Sequence, residues 1–154
     1  MLRTGLGWVS DTLMGFYVDA VHFRPYDKWT LSTKEIVLQA NTYIDGILLA
    51  VPTANQEAYR QHAKAVAQLL KEHGATQVVE CWGDDVPQGK LTSMPMAVQC
   101  KNDETVVFSW IAWPSREARD RGMQAFMDDP RMPGNMPFDG RRVIFGGFRP
   151  LVTA

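Results

Sequence analysis

The segment Glu104–Trp113, with the sequence ETVVFSWIAW, constrains the fold of this chain more than any other. Alternate side chains of a β-strand point to opposite faces, so Val107 and Ile111 share one face, and Phe108 and Trp110 share the other. Both faces are apolar, which is typical of a strand that is covered on both sides. Burial of one Phe or Trp ring contributes about 4–6 kcal/mol. We therefore expect a fold that covers both faces of its sheet.

The chain has 154 residues, which fits one domain with or without an extension. Its formal net charge of −1 gives no electrostatic reason to expect a nucleic acid or an anionic membrane as a partner. The sequence has no apolar run of the about 18 residues that a membrane helix needs. Its first residues lack the features of a signal peptide, so we expect neither membrane insertion nor secretion.

Cys81 and Cys100 form neither a CxxC pair nor a metal-ligand cluster. Both fall in apolar, strand-like runs, which predicts buried free thiols rather than a disulfide. Free thiols indicate a reducing, cytoplasmic setting. His62 and His73 lie about 16 Å apart along one predicted helix, too far to share a metal. Since phosphate-loop, zinc and hydrolase motifs are also absent from the sequence, we expect no metal and no cofactor.

Regular patterns begin at Tyr43 and continue to the end of the chain, so we predict one domain over residues 43–154. A strand at 43–51 leads into a helix with a capping box formed by Thr53 and Gln56. Gly74 ends this helix, and a second strand follows at 75–82. Further strands are predicted at 96–100, 104–113 and 141–148, and a second helix, capped by Ser115, at 116–128.

This order predicts an α+β, ferredoxin-like βαββαβ plan with an extra strand in the middle connection. In this plan two helices lie on one face of an antiparallel sheet. The other face would be bare in a monomer. We therefore expect a homodimer that packs sheet against sheet.

Five motifs, in this order along the chain, resemble the YbaA-like family of small bacterial proteins of unknown function. They are Tyr43-Ile-Asp-Gly, Val79-Glu80-Cys81-Trp82 followed by Asp85-Val-Pro-Gln-Gly-Lys90, Val106-Val-Phe-Ser-Trp-Ile111, Asp129-Pro-Arg-Met132, and Met136-Pro-Phe-Asp-Gly140 with Ile144-Phe-Gly-Gly-Phe148. The resemblance covers about residues 43–152. It implies a dimeric α/β-barrel fold and no particular reaction.

The chain departs from the family pattern in two places. Family chains begin close to the position of Tyr43, so residues 1–42 have no counterpart. This N-terminal extension also lacks a hydrophobic period, and we favour an upstream start of the reading frame over a true extension. The loop between Arg131 and Met136 is a few residues shorter than usual, which weakens any site that depends on it.

The first candidate site is acidic and consists of Asp45, Glu80, Asp84 and Asp85. Burial raises the pKa of a strand carboxylate, so Asp45 and Glu80 are candidates for a catalytic general base or acid. The alternative is that these residues have structural roles. Glu80 would then pair with Lys90 or Arg142, and Asp84 and Asp85 would shape a turn.

The second candidate site is aromatic and consists of Trp82, Trp110, Trp113, Phe108, Phe145 and Phe148. Aromatic side chains on a sheet that faces helices line pockets for flat, apolar ligands. We take Trp82 and Trp110 as candidate ligand-binding residues. The alternative is that these rings form the core or a dimer interface.

The third candidate site is the loop that carries Arg131 and Asp139, with the pair Arg141-Arg142 at the start of the last predicted strand. An arginine held over the mouth of a cleft binds a carboxylate through two hydrogen bonds. The alternative is an Arg–Asp pair that fastens the loop to the last strand.

Three functional hypotheses follow from these residues. The first is a homodimeric small-molecule-binding or housekeeping module without catalysis, in the cytoplasm. The second is a cofactor-independent enzyme, monooxygenase-like or isomerase-like, that acts on a small organic substrate in the cleft between sheet and helices. This analogy is at the level of the fold. The third, an RNA-associated protein, needs a basic surface that the net charge does not favour.

Overall fold

The structure is a computed structural model and describes residues 42–153. The N-terminal extension predicted for residues 1–42 therefore lies outside the described residues, apart from Thr42. The elements are β1 (Tyr43–Pro52), α1 (Gln56–Glu72), β2 (Gln77–Trp82), α2 (Met94–Ala97), β3 (Glu104–Trp113), α3 (Arg116–Met127) and β4 (Ile144–Phe148), with 3-10 turns at Thr53–Asn55 and Gly140–Arg142. The predicted α+β class is confirmed.

Within residues 42–153 the strands form a four-stranded, antiparallel sheet in the order β2-β3-β1-β4. The central pair, β1 and β3, is in register from Tyr43 opposite Trp113 to Pro52 opposite Glu104. Glu104–Trp113 is therefore a central strand, as its two apolar faces predict.

One face of the sheet packs against both long helices. Ile111 and Trp113 of β3 share this face and form a buried cluster with Leu70 of α1 and Phe126 of α3. Trp113 is completely buried, and burial of a ring of this size stabilises a fold by about 4–6 kcal/mol. Both helices are therefore held on the same side of the sheet.

The segment predicted as a strand at 96–100 is instead helical, so the prediction of an extra strand is wrong. Pro95 stands in the first turn of α2, where its missing N–H is no loss, and the Ser93 hydroxyl accepts a hydrogen bond from the Met96 N–H. Gln99 then has a positive φ of 50°, which ends any extended pairing. The short helix brings Val98 into a buried cluster with Val106 of β3.

The predicted helix ends are confirmed in part. Gly74 has a φ of 103° directly after α1, and the Ser115 hydroxyl caps α3 by accepting the Ala118 N–H at 3.2 Å. The capping box of Thr53 and Gln56 is wrong. The Thr53 hydroxyl is hydrogen-bonded to the hydroxyl of Thr105 at 2.9 Å, because the chain is still paired with β3 at Pro52.

The last strand is shorter than predicted, since residues 140–142 form a 3-10 turn and β4 starts at Ile144. Gly46 of β1 and Gly146 of β4 are partners across the sheet. A Cβ atom would lie 3.1 Å from Phe148 Cε2 at Gly46 and 3.3 Å from Phe148 Cζ at Gly146. The two glycines therefore make room for the ring of Phe148, a close approach of the kind for which strands use glycine.

The sheet surface that points away from α1 and α3 is only partly covered by the described residues. We call it the open face; its apolar side chains are Ile44, Leu48, Val79, Cys81, Phe108, Trp110, Ile144 and Phe148. Phe108, Ile144 and Phe148 are 43%, 44% and 58% exposed. The segment around Val98 covers one end of the sheet on this side.

Both cysteines are free, as predicted, but they are not the buried thiols that were expected. Cys81 is exposed because it lies on the open face of β2, an edge strand. Cys100 is half-buried, and its thiol donates a hydrogen bond to the Glu104 carbonyl oxygen at 3.5 Å. Among residues 42–153, no helix is both long and apolar enough to cross a membrane.

Candidate functional site

A cleft lies between α1 and the sheet face that carries the core. Its larger cavity has a volume of about 420 Å³ and its smaller cavity about 270 Å³. The larger one is lined by Ile47, Leu49, Tyr59, His62, Ala63, Val66, Glu80, Ser109, Met136, Phe138, Gly140, Val143 and Phe145. The smaller one, beside the edge strand β2, is lined by Gln56, Tyr59, Arg60, Ala63, Lys64, Ala67, Val78, Glu80 and Trp82. Tyr59, Ala63 and Glu80 thus line both cavities.

Glu80 is the acidic group of this cleft. It is an exposed residue on β2, and its cross-strand partner on β3 is Ser109. The Ser109 hydroxyl donates a short hydrogen bond to Glu80 Oε2, and the Tyr59 hydroxyl donates to the same oxygen at 2.6 Å. Two hydroxyls therefore hold one carboxylate oxygen in a fixed position.

Tyr59 reaches Glu80 from α1, where it lies on the sheet-facing stripe one turn before Ala63. Burial and the neighbouring negative charge of Glu80 raise the pKa of Tyr59 well above its usual range. The tyrosine is therefore a hydrogen-bond donor, and not a base, at any physiological pH.

His62 borders the larger cavity from the same helix and packs edge-on against Phe138, with ring centroids 5.8 Å apart. Burial lowers the pKa of His62, and the negative charge of Glu80 opposes this shift. The net effect favours the neutral imidazole near pH 7.

Aromatic rings form the wall around Glu80. The ring of Tyr59 lies 6.2 Å from the ring of Trp82 and 5.9 Å from the ring of Phe138, measured between centroids. Trp82, a predicted ligand-binding residue, therefore lines the cleft.

Asp45, the other predicted catalytic carboxylate, lies away from the cleft. It is 4% exposed and lines neither cavity. Its carboxylate accepts hydrogen bonds from Trp113 Nε1 at 3.0 Å and from Arg119 Nε at 3.0 and 3.1 Å. These contacts join β1 to β3 and α3, so Asp45 holds elements of the fold together.

The expected partners of Glu80 are also different. Arg142 forms a double ion pair with Glu104, at 2.8 and 2.5 Å, rather than with Glu80. Its guanidinium also donates to the carbonyl oxygen of Gln99 at 2.8 Å. Arg142 thus binds the start of β3 and the connection that precedes it. The sequence alone does not show that this connection lies close to Arg142. Lys90 forms no ion pair with Glu80 either, among the ion pairs of residues 42–153.

The structure contains Arg–Asp pairs between the loop and the segment predicted as the last strand. Asp139 accepts hydrogen bonds from Arg141 at 3.0 Å and from Arg142 at 3.3 Å. Arg131 binds Asp129 at 2.8 Å and Glu72 at 2.9 Å. Arg131 and Arg141 each lie two residues after the aspartate that they bind, so short sequence separation explains these two pairs. Neither Arg131 nor Asp139 lines the cleft.

The six aromatic residues do not form one pocket, because alternate positions of a strand face opposite ways. Trp110, Phe108 and Phe148 belong to the open face. Trp110 therefore lies outside the cleft. Asp84 lines a separate, polar cavity of about 490 Å³ beside the connection between β2 and β3.

Tyr59, His62 and Ser109 belong to the site but were not predicted from the sequence. Tyr59 lies among the buried, apolar positions of α1, so its sequence context is that of a core residue. Ser109 carried a usable signal, since it is a hydroxyl in the middle of an otherwise apolar strand. Within residues 42–153, no group of three His, Cys, Asp or Glu side chains is arranged to hold a metal ion.

Comparison with known proteins assigns the family. The model of the family described as "Protein of unknown function (DUF1428)" matches residues 42–140. The chain belongs to this family. It is 50% identical over 113 residues to "Uncharacterized protein YbaA" of Escherichia coli K12, a match that covers 71% of this chain and 97% of that protein.

The YbaA proteins of Escherichia coli O157:H7 and Shigella flexneri match to the same extent. The YbaA-like resemblance of the sequence motifs is thereby confirmed, and the family description assigns no reaction. Among solved structures, the "De novo designed protein Foldit4" covers 70% of this chain and 97% of its own, with 14% identity and a TM-score of 0.39.

Proposed function

We propose that this protein binds a small, largely apolar organic molecule in the cleft between α1 and the sheet. The observation that carries the proposal is a cavity of about 420 Å³ with apolar walls and one carboxylate, Glu80. Ligand pockets of proteins have volumes of about 300–1,000 Å³, apolar linings and a few convergent polar groups. Ser109 and the hydroxyl of Tyr59 complete the polar set.

The side chains that frame the cavity are of two kinds. Leu49 and Ala63 at its inner wall are buried, and they belong to a core cluster that also includes Tyr59. Phe145 is 73% exposed and Met136 51% exposed. The inner wall is thus fixed by the core, while the outer residues are available to contact a ligand.

Filling the cleft tests this function. Nile red is a neutral dye whose fluorescence rises in apolar sites, and we expect it to bind the full chain. The change Ala63→Leu adds volume at a position shared by both cavities and should weaken Nile red binding at least ten-fold. Ala65→Leu, on the exposed side of the same helix, is the matched control.

Circular dichroism shows whether each variant is folded. A folded Ala63→Leu variant with unchanged Nile red affinity would contradict the proposal, as would a parent protein that does not bind the dye. Val66→Phe, which also points into the larger cavity, is the second variant if Ala63→Leu does not fold.

We further propose that two copies pack through the open face, and that this gives the ferredoxin-like, dimeric α/β-barrel expected for residues 43–154. The strand order β2-β3-β1-β4 supports the ferredoxin-like plan. Exposed Phe108, Ile144 and Phe148 support a sheet-to-sheet interface, because contiguous apolar patches mark association surfaces. The free thiols of Cys81 and Cys100 support a cytoplasmic protein.

A second candidate function is proton transfer by Glu80 in a cofactor-independent enzyme of the monooxygenase or isomerase kind. The observation that favours it is the fixed carboxylate in an open cavity, oriented by Tyr59 and Ser109. The enzyme should exchange the acidic C–H of 2-tetralone with D₂O faster than buffer, and Glu80→Gln should return exchange to the buffer rate. Equal exchange by both proteins would exclude this role. A role with RNA is disfavoured, because the formal net charge of −1 gives no electrostatic attraction to phosphate.

A further inference from the structure

We propose that the cleft selects an organic cation, a small monoamine with an apolar body whose ammonium group is held by Glu80 and the surrounding aromatic rings. This inference rests on the proposed function, since it names the class of molecule that the cleft binds.

The charge of the cleft favours a cation. Among residues 42–153, Glu80 is the one acidic residue that lines the larger cavity, and no Lys or Arg of this part of the chain lines it. His62 is the remaining titratable neighbour besides Tyr59, and burial favours its neutral form. An anion entering this cavity would meet a carboxylate without a compensating cation, whereas an ammonium ion would meet an opposite charge.

Glu80 differs from the less exposed carboxylates of residues 42–153. Asp45 pairs with Arg119, Glu104 with Arg142, Asp129 with Arg131, and Asp139 with Arg141. Glu80 takes part in none of the ion pairs within residues 42–153, a property that it shares with exposed carboxylates such as Asp85 and Asp103. Unlike those two residues, Glu80 lines the larger cavity, so a ligand in this cavity is able to supply the cationic partner.

The basic residues of the smaller cavity do not remove this preference. Arg60 and Lys64 line it from α1, and both are exposed. Arg60 is paired with Glu57 at 3.1 Å, at the surface of the helix. These two side chains border the smaller cavity and not the larger one, so they leave the apolar cavity with its negative charge.

The hydrogen bonding of Glu80 leaves one carboxylate oxygen open. Both donors, Tyr59 and Ser109, bind Oε2. Oε1 has no hydrogen-bond partner among residues 42–153. An ionised carboxylate accepts about four hydrogen bonds, so Oε1 is able to accept the N–H of an ammonium group.

Two aromatic rings lie beside Glu80 in the larger cavity. Tyr59 and Phe138 both line it, and their ring centroids are 5.9 Å apart. Ring faces attract cations within about 6 Å of the centroid. A carboxylate next to such rings is the composition that favours an alkylammonium group over a neutral hydroxyl.

The apolar residues then define the rest of the ligand. Ile47, Leu49 and Val143 offer no partner for a second polar group. An amino acid would bring a carboxylate for which residues 42–153 offer no Lys or Arg in the larger cavity. The chemistry therefore fits a monoamine with a hydrocarbon or aromatic body and excludes a zwitterion.

Three compounds of similar shape test the inference by calorimetric titration of the full chain at pH 7: 2-phenylethylamine, 2-phenylethanol and phenylacetate. We expect the amine to bind about ten-fold more tightly than the alcohol. Phenylacetate should bind more weakly than the alcohol. Glu80→Gln should remove the preference for the amine over the alcohol. Asp85→Asn, which removes the same charge at an exposed position outside the cleft, should change neither affinity.

The outcomes separate the inference from the function on which it rests. If Nile red binds but the amine binds no more tightly than the alcohol, the cation preference is wrong and the small-molecule function stands. An amine preference that persists in Glu80→Gln, or that Asp85→Asn also removes, overturns the inference too. If neither Nile red nor any of the three compounds binds, the proposed function itself is wrong.

Discussion

The single N–H of Arg119 Nε in α3 is shared between the two carboxylate oxygens of Asp45 in β1, which lie 3.0 and 3.1 Å from the nitrogen. Asp45 Oδ2 also accepts the indole N–H of Trp113. Both the ion pair and the indole hydrogen bond are largely screened from water, since the Asp45 side chain is 6% exposed. The pair is therefore part of the framework of the fold.

Asp45→Ala should lower the free energy of unfolding by about 3 kcal/mol, because it leaves Arg119 and the Trp113 N–H without their acceptor. Urea denaturation followed by circular dichroism measures the loss. Asp120→Ala removes the exposed partner of Arg119 and should cost less than about 0.5 kcal/mol. Loss of Nile red binding by folded Asp45→Ala, at unchanged stability, would instead show that Asp45 belongs to the site.

The ion pair of Glu104 with Arg142 predicts a pH dependence of stability. Hydrogen bonds from Arg142 lower the pKa of Glu104 from its ordinary 4.5 to about 2. Because the folded-state pKa is the lower one, this contribution is complete above about pH 4.5 and is lost as the pH falls toward 2.

Glu104→Gln should therefore be less stable than the parent at pH 7, and the difference should shrink between pH 4.5 and 2. Arginine also lowers the pKa values of Asp129 and Asp139, so protonation of these two carboxylates in acid destabilises both proteins. Their contribution is the same in Glu104→Gln and in the parent, and it cancels in the difference between the two free energies of unfolding. Urea midpoints at several pH values measure this. A difference that is constant with pH would contradict the assignment.

Gly122 of α3 lies against the indole of Trp113, and a Cβ atom there would also lie 2.6 Å from the backbone oxygen of His73. Gly122→Ala should destabilise the fold by about 1–3 kcal/mol, although Ala is the better helix former by about 1 kcal/mol. Gly134→Ala, at a position with open space around it, should lie within about 0.5 kcal/mol of the parent. Thermal unfolding compares the two, and a stabilised Gly122→Ala would show that the helix contact is looser.

Phe108→Glu should convert the proposed dimer into a monomer, because it places a charge in the middle of the open face. Size-exclusion chromatography with light scattering at micromolar concentration gives the mass. Ala65→Glu, on the exposed side of α1, is the control and should remain dimeric. A parent protein that is monomeric under these conditions would contradict the sheet-to-sheet interface.

Thiol labelling gives an independent measure of the same interface. Cys81 lies on the open face directly opposite Phe108, so dimerisation should protect it from a thiol reagent. In the Phe108→Glu variant, Cys81 should then react with the thiol reagent at least ten-fold faster than in the parent protein. Cys100, half-buried beside Glu104 and with its pKa raised by burial, should react slowly in both proteins.

Much of the framework was predictable from the sequence because it depends on local periodicity. Local patterns of a few residues specify several elements. The alternating side chains predict β3, the apolar residues on one side of the helix predict α1, and Gly74 and Ser115 mark helix ends. The segment at 96–100 was not predictable in this way, because Met96 to Cys100 is an apolar run that fits a strand as well as a short helix. The cap at Ser93 and the proline at 95 were the signals that distinguished them.

The site was less predictable because its contacts join distant parts of the chain. Glu80 and Tyr59 meet across 21 residues, and Arg142 and Glu104 across 38. A sequence reveals that a carboxylate needs a partner but not which of several arginines reaches it. Asp45 and Glu80 looked alike as strand carboxylates. They differ in their surroundings, because Asp45 is paired with Arg119, whereas Glu80 lines the cleft.

The pairing of β1 with β3 has a consequence for synthesis of the chain. Pro52 pairs with Glu104 and Tyr43 with Trp113, so every partner of β1 is translated more than 50 residues after it. Translation proceeds at about 5–20 residues per second. The apolar side chains of β1 and α1 are therefore exposed for some seconds outside the ribosome before the partner strands of β1 are available. Nascent chains of this domain should therefore be clients of ribosome-associated chaperones until β3 has emerged, and β4 closes the edge of β1 last.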